Sequence, residues 1–332
     1  MVGSRQMVRL LFSAILATTF SIYQQVEACN VPVFRYALER WQSDEYELVI
    51  LHNQDLTPSE KTKIESIAKR TRARNGSLNL RVRVYDLRTE LEPKLNQFWT
   101  SYASSNQSTA ALLLYSANAR EVPDRIVSIT PFSKIDADSL VDSPARKLLQ
   151  ERILSGDSAV WIFVTSGNQE EDEEAYKRLE DQIAWNKANL SLPNQDVLEA
   201  DEFFDKENPI ELRLDFSIVK VNRNDPREQF FVDMLMQSES DLEELDQPMA
   251  FPVIGRGRVL YALVGKGIYK ETIEMASKFV VGPCSCQVKD QNPGFDLLMN
   301  TDWDSQVTGK EIAKPLEKNQ KAPILIQIPA GK

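Results

Sequence analysis

The chain contains little histidine and little cysteine, which limits the chemistry it can perform. Of its 332 residues, one is histidine and three are cysteine. A zinc site usually takes four protein ligands, so few candidate donors are present for one. A hydrolytic triad needs histidine beside a nucleophile, and no G-x-S-x-G motif accompanies His52. The composition therefore argues against a serine hydrolase and against an ordinary zinc site.

The chain also lacks an excess of positive charge. It has 49 Asp and Glu against 39 Lys and Arg, a formal net charge of −10 and a pI of about 4.9. Binding to nucleic acid needs a basic face, and anionic lipid attracts basic segments. The acidic balance argues against both partners. With 42% hydrophobic residues the composition is typical of a globular protein, and about 300 mature residues predict two domains.

No hydrophobic run is long enough to cross a membrane. The run from Leu10 to Ile22 has 13 residues and follows Arg5 and Arg9, whereas a membrane-spanning helix needs about 20. A positive segment before a short apolar core is typical of an export signal. We therefore predict a signal peptide over residues 1–28 and a mature bacterial protein in the periplasm or cell envelope.

Two processing events fit the end of this signal. Val26 and Ala28 are small residues suited to signal peptidase I, which would leave Cys29 as the new N-terminus. Alternatively, residues 26–29 form an imperfect lipobox, and Cys29 would carry a lipid anchor. Glu27 is unusual within a lipobox, so simple secretion is favoured. Attachment to the membrane is expected only if Cys29 is lipidated.

The first half of the mature chain predicts alternating strands and helices. A buried strand is predicted at 46–52, and Thr57-Pro58-Ser59-Glu60 is a capping box that begins a helix. Apolar residues alternate from Leu78 to Val84, which predicts a second strand. A helix near 91–102, a hairpin and a helix over 144–154 complete the order β-α-β-α-β-β-α.

The second half repeats this order. A buried strand is predicted at 158–166, and the acidic run 170–174 begins a helix, where carboxylates complement the helix dipole. Residues 212–218 alternate as a strand, and the segment 225–228 is predicted to cap the next helix. A hairpin over 249–264 and a final helix complete the second set.

This repeated order resembles the thioredoxin fold. The predicted fold class is α/β, with two tandem thioredoxin-like domains that contain mixed sheets. Pro252 lies just before the third strand of the second set, where thioredoxin-like folds keep a cis-proline, so Pro252 is a candidate for either a cis or a trans bond. The predicted parts are the signal peptide 1–28, a first domain 29–156 without C-x-x-C, a second domain 157–303 with a C-terminal C-x-C, and a flexible tail 304–332.

Neither predicted domain has the cysteines of a thioredoxin active site. In thioredoxins a Cys-x-x-Cys motif begins the first helix, where the helix dipole lowers the thiol pKa. The corresponding positions are Leu51-His52-Asn53-Gln54-Asp55 and Thr165-Ser166-Gly167-Asn168-Gln169. Ordinary dithiol chemistry at these positions is therefore excluded if the elements are aligned correctly.

Cys284 and Cys286 form the one close cysteine pair in the sequence. Such a pair can exchange disulfides in an oxidising compartment or hold a soft metal such as copper(I). However, it follows the predicted C-terminus of a helix, whose partial negative charge disfavours thiolates. A purely structural role, which holds the tail against the second domain, is favoured. If Cys29 is not lipidated, one thiol is left over.

Other residues are candidates for weaker sites. His52 ends a predicted parallel strand, where open α/β sheets bind ligands, although a capping role is the simpler interpretation. Gly255-Arg256-Gly257 and Gly265-Lys266-Gly267 can cradle an anion or simply form turns. The acidic run 170–174 can bind calcium or remain a solvated helix start. The sequence predicts no cofactor.

Three segments resemble one family of exported, functionally uncharacterised planctomycete-type bacterial proteins. They are CNVPVFRYALERW from Cys29, FPVIGRGRVLYALVGKG from Phe251, and GPCSCQVKDQNPGFDLL from Gly282. Some relatives are encoded near ABC-type permeases, which implies a membrane transporter as a partner. The resulting hypothesis is a non-catalytic, thioredoxin-like envelope protein that binds a protein partner. The alternative is a protein for thiol-disulfide exchange or soft-metal handling that uses Cys284 and Cys286.

Overall fold

The computed structural model describes residues 31–71, 78–89, 98–100, 109–119, 122–193, 213–284 and 288–307. These residues form a mixed α/β structure with two mixed β-sheets of four and six strands, which confirms the predicted class. The predicted signal segment, Cys29, Cys286 and residues 308–332 lie outside the described residues. Export and lipidation stay predictions.

The first sheet has the strand order β2-β1-β3-β4. β1 and β2 are parallel, whereas β3 is antiparallel to both β1 and β4. The predicted strand at 46–52 and the hairpin that follows are confirmed. The strands cover Tyr46–His52 (β1), Leu80–Asp86 (β2), Thr109–Leu114 (β3) and Ile126–Pro131 (β4).

The helices of the first half begin where the sequence supplies caps. The predicted capping box forms: Thr57 Oγ1 accepts from Glu60 N at 3.2 Å, and Glu60 Oε2 accepts from Thr57 N at 2.8 Å. Ser143 Oγ accepts from Arg146 N at the start of the helix over 144–154. The helices cover Val33–Arg40 (α1), Pro58–Thr71 (α2), Ala137–Val141 (α3) and Pro144–Leu154 (α4), and residues 98–100 are also helical.

The second sheet has the strand order β10-β8-β7-β5-β6, and β9 pairs with β7. β5 and β6 are parallel, and β7 is antiparallel to β5. These relations repeat those of the first sheet. The strands cover Ala159–Thr165 (β5), Phe216–Asn222 (β6), Met249–Ile254 (β7), Arg258–Val259 (β8), Leu263–Val264 (β9) and Phe295–Asp296 (β10).

The peptide bond before Pro252 is trans, so the cis geometry considered there is not adopted. None of the described peptide bonds is cis, and Pro252 lies inside β7 opposite Trp161 of β5. The carbonyl of Pro252 accepts from Leu260 N at 3.0 Å, on the side away from β5. Because N–H and C=O of one strand residue point to the same side, the donor that proline lacks would also face away from β5. An ordinary trans strand therefore accommodates this proline.

The helices of the second half follow the predicted order, with one correction. The second of them begins at Gln229, and the side chain of Glu228 makes no cap bond there. Asp225 instead accepts from Arg227 N at 2.9 Å in the preceding turn, so the predicted cap at 225–228 is wrong. The helices cover Gln169–Asn189 (α5), Gln229–Met236 (α6), Lys270–Val281 (α7) and Trp303–Val307 (α8).

One hydrophobic core lies between the two sheets. It contains Leu48 and Ile50 of β1 together with Val160 and Ile162 of β5, and helices α2, α4 and α6 contribute to it. A second core covers the outer face of the second sheet and includes residues of α1, α5 and α7. The two halves are therefore joined by burial of apolar surface rather than by a linker alone.

Helix α1 belongs to the first half in sequence but packs on the second sheet. Its residues Phe34 and Ala37 lie in the outer core with Trp161. Gly255, which turns β7 into β8 with a φ of +55°, permits this contact, because a Cβ there would lie 2.7 Å from the Cβ of Ala37. The N-terminal segment thus fastens onto the second half.

Arg146 of α4 fastens the halves from inside. Its guanidinium is buried and donates to the carbonyls of Leu298 at 2.9 Å and Ser139 at 2.6 Å. Burial lowers the pKa of Arg146 to about 10, so the side chain stays charged at neutral pH. Nearby, Tyr46 Oη donates to the carbonyl of Asp296 at 2.7 Å. The Arg146–Leu298 and Tyr46–Asp296 hydrogen bonds join the first half to the segment that follows α7.

Candidate functional site

The carboxyl ends of β1 and β2 form the first candidate site. His52 ends β1, opposite Asp86 of β2 and Thr109 of β3. The His52 ring is 8% exposed, and its Nδ1 lies 2.8 Å from the carbonyl oxygen of Gln54. Because a carbonyl only accepts, Nδ1 is the donor in this hydrogen bond. The capping interpretation of His52 fits this geometry.

Charged side chains beside His52 are paired with one another. Arg88 donates to Asp86 at 2.9 and 2.7 Å and to Asp55 at 2.8 Å. These hydrogen bonds hold the pKa of the Asp86 carboxyl well below its usual value. Burial opposes ionisation of Glu60, but hydrogen bonds from Thr57 and Thr109 lower its pKa overall. The first edge is therefore a closed network of ion pairs and hydrogen bonds.

The carboxyl ends of β5 and β6 form the second candidate site. The loop after β5 is closed by Asp172, whose carboxylate accepts from Ser166 N at 2.7 Å, Ser166 Oγ at 2.9 Å and Gly167 N at 3.2 Å. Asn168 caps α5 by accepting from Glu171 N. The acidic run 170–174 thus begins the helix as predicted. Among the described residues, no group of three His, Cys, Asp or Glu side chains is placed to hold a metal ion.

An open pocket of about 650 Å³ lies at this second edge. Thr165, Lys220 and Asn222 line it from the strands, and Gln169 and Glu173 line it from the start of α5. Lys220 Nζ lies 5.5 Å from the ring centroid of Tyr176. The sequence analysis did not single out Lys220. The available signal was the change from apolar Phe216 and Ile218 to polar residues along one face of β6.

Cys284 is buried beside Val31, the first residue that the structure describes. It is 2% exposed and belongs to the outer core of the second sheet. Its N–H donates to the carbonyl of Val31 at 2.9 Å, and Pro32 and Pro283 form an isolated β-bridge. Cys286 and Cys29 lie outside the described residues. The described half of the pair therefore packs against the chain that follows the predicted cleavage site.

Both glycine-flanked turns are occupied by internal hydrogen bonds. Arg256 is buried and donates to the carbonyl of Leu38 at 2.8 Å and to Gln42 Oε1 at 3.1 Å, near the end of α1. The N–H of Gly265 donates to the carbonyl of Pro248 at 2.8 Å. The turns therefore use these groups to hold the fold, which favours the structural interpretation over an anion cradle.

Within the described part of the chain, no helix is long and apolar enough to cross a membrane. Compared with models of known protein families and with curated proteins, the chain matches none of them. The interpretation of the two strand edges therefore depends on their geometry and chemistry.

Proposed function

We propose that this is an exported, non-catalytic protein of the bacterial cell envelope, built from two tandem thioredoxin-like units, that binds a protein partner. Strand pairing supports the fold, because β1, β2 and β3 have the same relative directions as β5, β6 and β7. Helix placement also supports it. In the second half, α5 and α7 share the outer face of the sheet, and α6 lies in the core on the opposite face.

The content of the two strand-end loops carries the non-catalytic part of the proposal. In a thioredoxin-like unit these loops hold the redox cysteines, and here both lack cysteine. His52 instead bonds Gln54, and Ser166 bonds Asp172. The side chains at the first edge are hydrogen-bonded or ion-paired within the same chain. Because neither described strand edge assembles a reacting group, we interpret the fold as a binding module.

A membrane transport complex is the setting that the family resemblance implies for the partner. The predicted export signal places the mature chain on the correct side of the membrane for such an encounter. The acidic charge of −10 disfavours direct adhesion to anionic lipid, so contact through a protein is the simpler route to the membrane.

Photo-crosslinking from the two strand edges tests this function. Benzoylphenylalanine is placed at Asn53 of the first edge, at Gln169 of the second edge, and at Glu65 on the exposed side of α2 as a control. In the native envelope, we expect one partner protein to crosslink from an edge position and not from Glu65. Equal labelling from all three positions, or reduction of insulin disulfides by the purified protein, would overturn the proposal.

The alternative function through Cys284 and Cys286 is tested by intact-mass analysis. The mature protein is isolated from its native envelope and alkylated before and after treatment with glutathione. Because Cys284 is buried against Val31, we expect its alkylation state to be unchanged by glutathione. Rapid exchange, or a bound metal at native mass, would support the alternative. The same measurement reports the cleavage site and any lipid on Cys29.

A further inference from the structure

The pocket at the carboxyl ends of β5 and β6, called here the β5–β6 pocket, has an unbalanced set of polar groups. Its two carboxylates are already engaged. Asp172 accepts three hydrogen bonds from the loop at Ser166 and Gly167. Glu173 Oε1 accepts from Gln169 Nε2 at 2.8 Å. Both acids therefore have fewer free lone pairs with which to accept from a cation in the pocket.

Lys220 is the cation that lines the β5–β6 pocket, and it has no ion-pair partner within the part of the chain that the structure describes. Among the described residues, no carboxylate lies within ion-pair distance of Lys220 Nζ, which lies 5.5 Å from the ring centroid of Tyr176. The ring holds the side chain by a cation–π interaction and does not neutralise it. An ammonium group is therefore held at the pocket with unused donor capacity.

Neighbouring side chains add donors on the same face. Residues 216, 218, 220 and 222 of β6 alternate onto the face that carries α5, and Thr165 of β5 lies on that face as well. Asn222 uses its Oδ1 to accept from Asn224 N at 2.9 Å, which leaves its amide NH2 to donate. The hydroxyl of Thr165 is a further donor. The pocket therefore offers an ammonium, an amide and a hydroxyl to one acceptor.

We propose that the β5–β6 pocket binds the carboxylate of an acidic side chain on an extended segment of the partner protein. A carboxylate accepts several hydrogen bonds and prefers a charged donor. The volume of about 650 Å³ exceeds that of one carboxylate, so the flanking peptide also fits. β6 pairs with β5 alone in the described sheet, which leaves an edge beside the pocket for an extended chain. This inference rests on the proposed function and names its partner chemistry.

The helix N-terminus is not the source of this specificity. Asn168 already caps Glu171 N in the first turn of α5, and the Asp172 carboxylate in the same turn adds a negative charge that opposes an anion there. Discrimination is therefore expected to depend on Lys220. Loss of one charge-assisted hydrogen bond lowers affinity by about ten-fold.

Titration with short blocked peptides tests the proposal. The probe is acetyl-Ala-Glu-Ala-amide, and the neutral comparator is acetyl-Ala-Gln-Ala-amide. Binding to the mature chain is followed by NMR through the side-chain amides of Asn222 and Asn224. We expect saturable shifts with the glutamate peptide and at least about ten-fold weaker binding of the glutamine peptide. Equal affinity for both peptides would overturn the carboxylate assignment.

Variants separate the pocket from general charge. Lys220→Gln is expected to bind the glutamate peptide about ten-fold more weakly, and Lys220→Arg to keep most of the affinity. Lys134→Gln removes the same charge from the exposed surface of the first half and is expected to have no effect. Unchanged binding by Lys220→Gln, with a native circular dichroism spectrum, would overturn the proposal. If acetyl-Ala-Ala-Ala, which has a free C-terminal carboxylate, binds more tightly than the glutamate peptide, the ligand is a chain terminus and the side-chain proposal is overturned.

The same variants distinguish this inference from the broader function. If Lys220→Gln still crosslinks its partner from Asn53 and the wild-type protein ignores the peptide, the pocket proposal fails and the function stands. If the peptide binds but no partner crosslinks from either edge, the pocket proposal stands as chemistry and the proposed function fails.

Discussion

The two halves of the molecule have the same sheet topology but differ in what covers them. The second sheet has extensive apolar clusters on both faces, and it receives α1 and β10 from distant parts of the chain. In the described residues, the buried outer cluster of the first sheet consists of Val49, Leu51 and Leu112. The same strand order thus does not give the same burial. We infer that the first half depends for stability on its contacts with the second.

The strand edges of the two halves also differ in how completely their charged side chains are paired. At the first edge Arg88 is matched by Asp86 and Asp55, so the charges are closed on themselves. At the second edge Asp172 is turned into its own loop, and Lys220 remains without an acid among the described residues. The comparison shows that topology fixes where a site can lie, whereas the pairing of side chains decides whether the site is open.

Removal of Arg146 is expected to cause the largest loss of stability, because this side chain joins the first half to the second. Arg146→Met leaves the buried carbonyl of Leu298 and the partly buried carbonyl of Ser139 without this donor, and we expect a loss of about 3–5 kcal/mol in unfolding free energy. Urea unfolding followed by circular dichroism measures it. Arg152→Met changes an exposed residue of the same helix and serves as the control. Equal stabilities would show that the apolar core alone joins the halves.

A side chain at Gly255 tests the docking of α1 on the second half. Gly255→Ala places a Cβ 2.7 Å from that of Ala37 at a φ of +55°, and about 2–4 kcal/mol of destabilisation is expected. Gly167→Ala has a similar backbone requirement, with a φ of +97°, but nothing lies within 4 Å of its Cβ. That variant is expected to lose about 1–2 kcal/mol. Hydrogen exchange of α1 should increase in Gly255→Ala alone.

The pH dependence of stability at Asp233 of α6 tests the contact between the two halves, because α6 also packs on β4 of the first half. Burial raises the pKa of Asp233 to about 6. Stability linked to its protonated form is complete below the unfolded pKa of about 4 and is lost as pH rises through 6. Asp233→Asn is therefore expected to gain up to about 2–3 kcal/mol over wild type at pH 7.5, and little at pH 4. A gain that does not vary with pH would contradict this origin.

The smallest expected effect compares the two edges directly. Arg88→Gln leaves Asp86 and Asp55 without their shared cation, so a lower thermal midpoint is expected at pH 7. Lys220→Gln removes no ion pair among the described residues and should leave the midpoint unchanged. Because Arg88 lowers the pKa of Asp86, the effect of Arg88→Gln should fade as pH falls below about 4. Equal effects of the two substitutions would remove the proposed difference between the edges.

Local signals predicted much of the secondary structure. The Thr57–Glu60 capping box, the helix over 144–154 and the hairpin at Gly255 depend on residues close together in sequence, and the structure contains all three. The features that local signals did not decide involve longer distances. Whether Pro252 is cis depends on its neighbours in β5 and β8. The start of α6 depends on contacts from α4, because Glu228 Oε1 accepts from Ala145 N and does not cap α6.

The candidate sites show the same division. His52 was found from its place at the end of a buried strand, and the absence of cysteine from both strand-end loops could be read directly. Lys220 and Arg146 were not found, because nothing beside them in sequence distinguishes them from other charged residues. Their roles follow from partners that are distant along the chain, such as Leu298, or missing from the surroundings, as at Lys220.

By itself, the sequence determined the order of most strands and helices, the acidic charge and the absence of cysteine from both strand-end loops. These properties depend on composition, side-chain periodicity and local hydrogen bonds. Only the tertiary structure decided that α1 crosses to the second sheet, that the halves share one core, and that one edge is closed and the other open. Such features depend on which distant groups meet, because burial and charge pairing are set by three-dimensional neighbours.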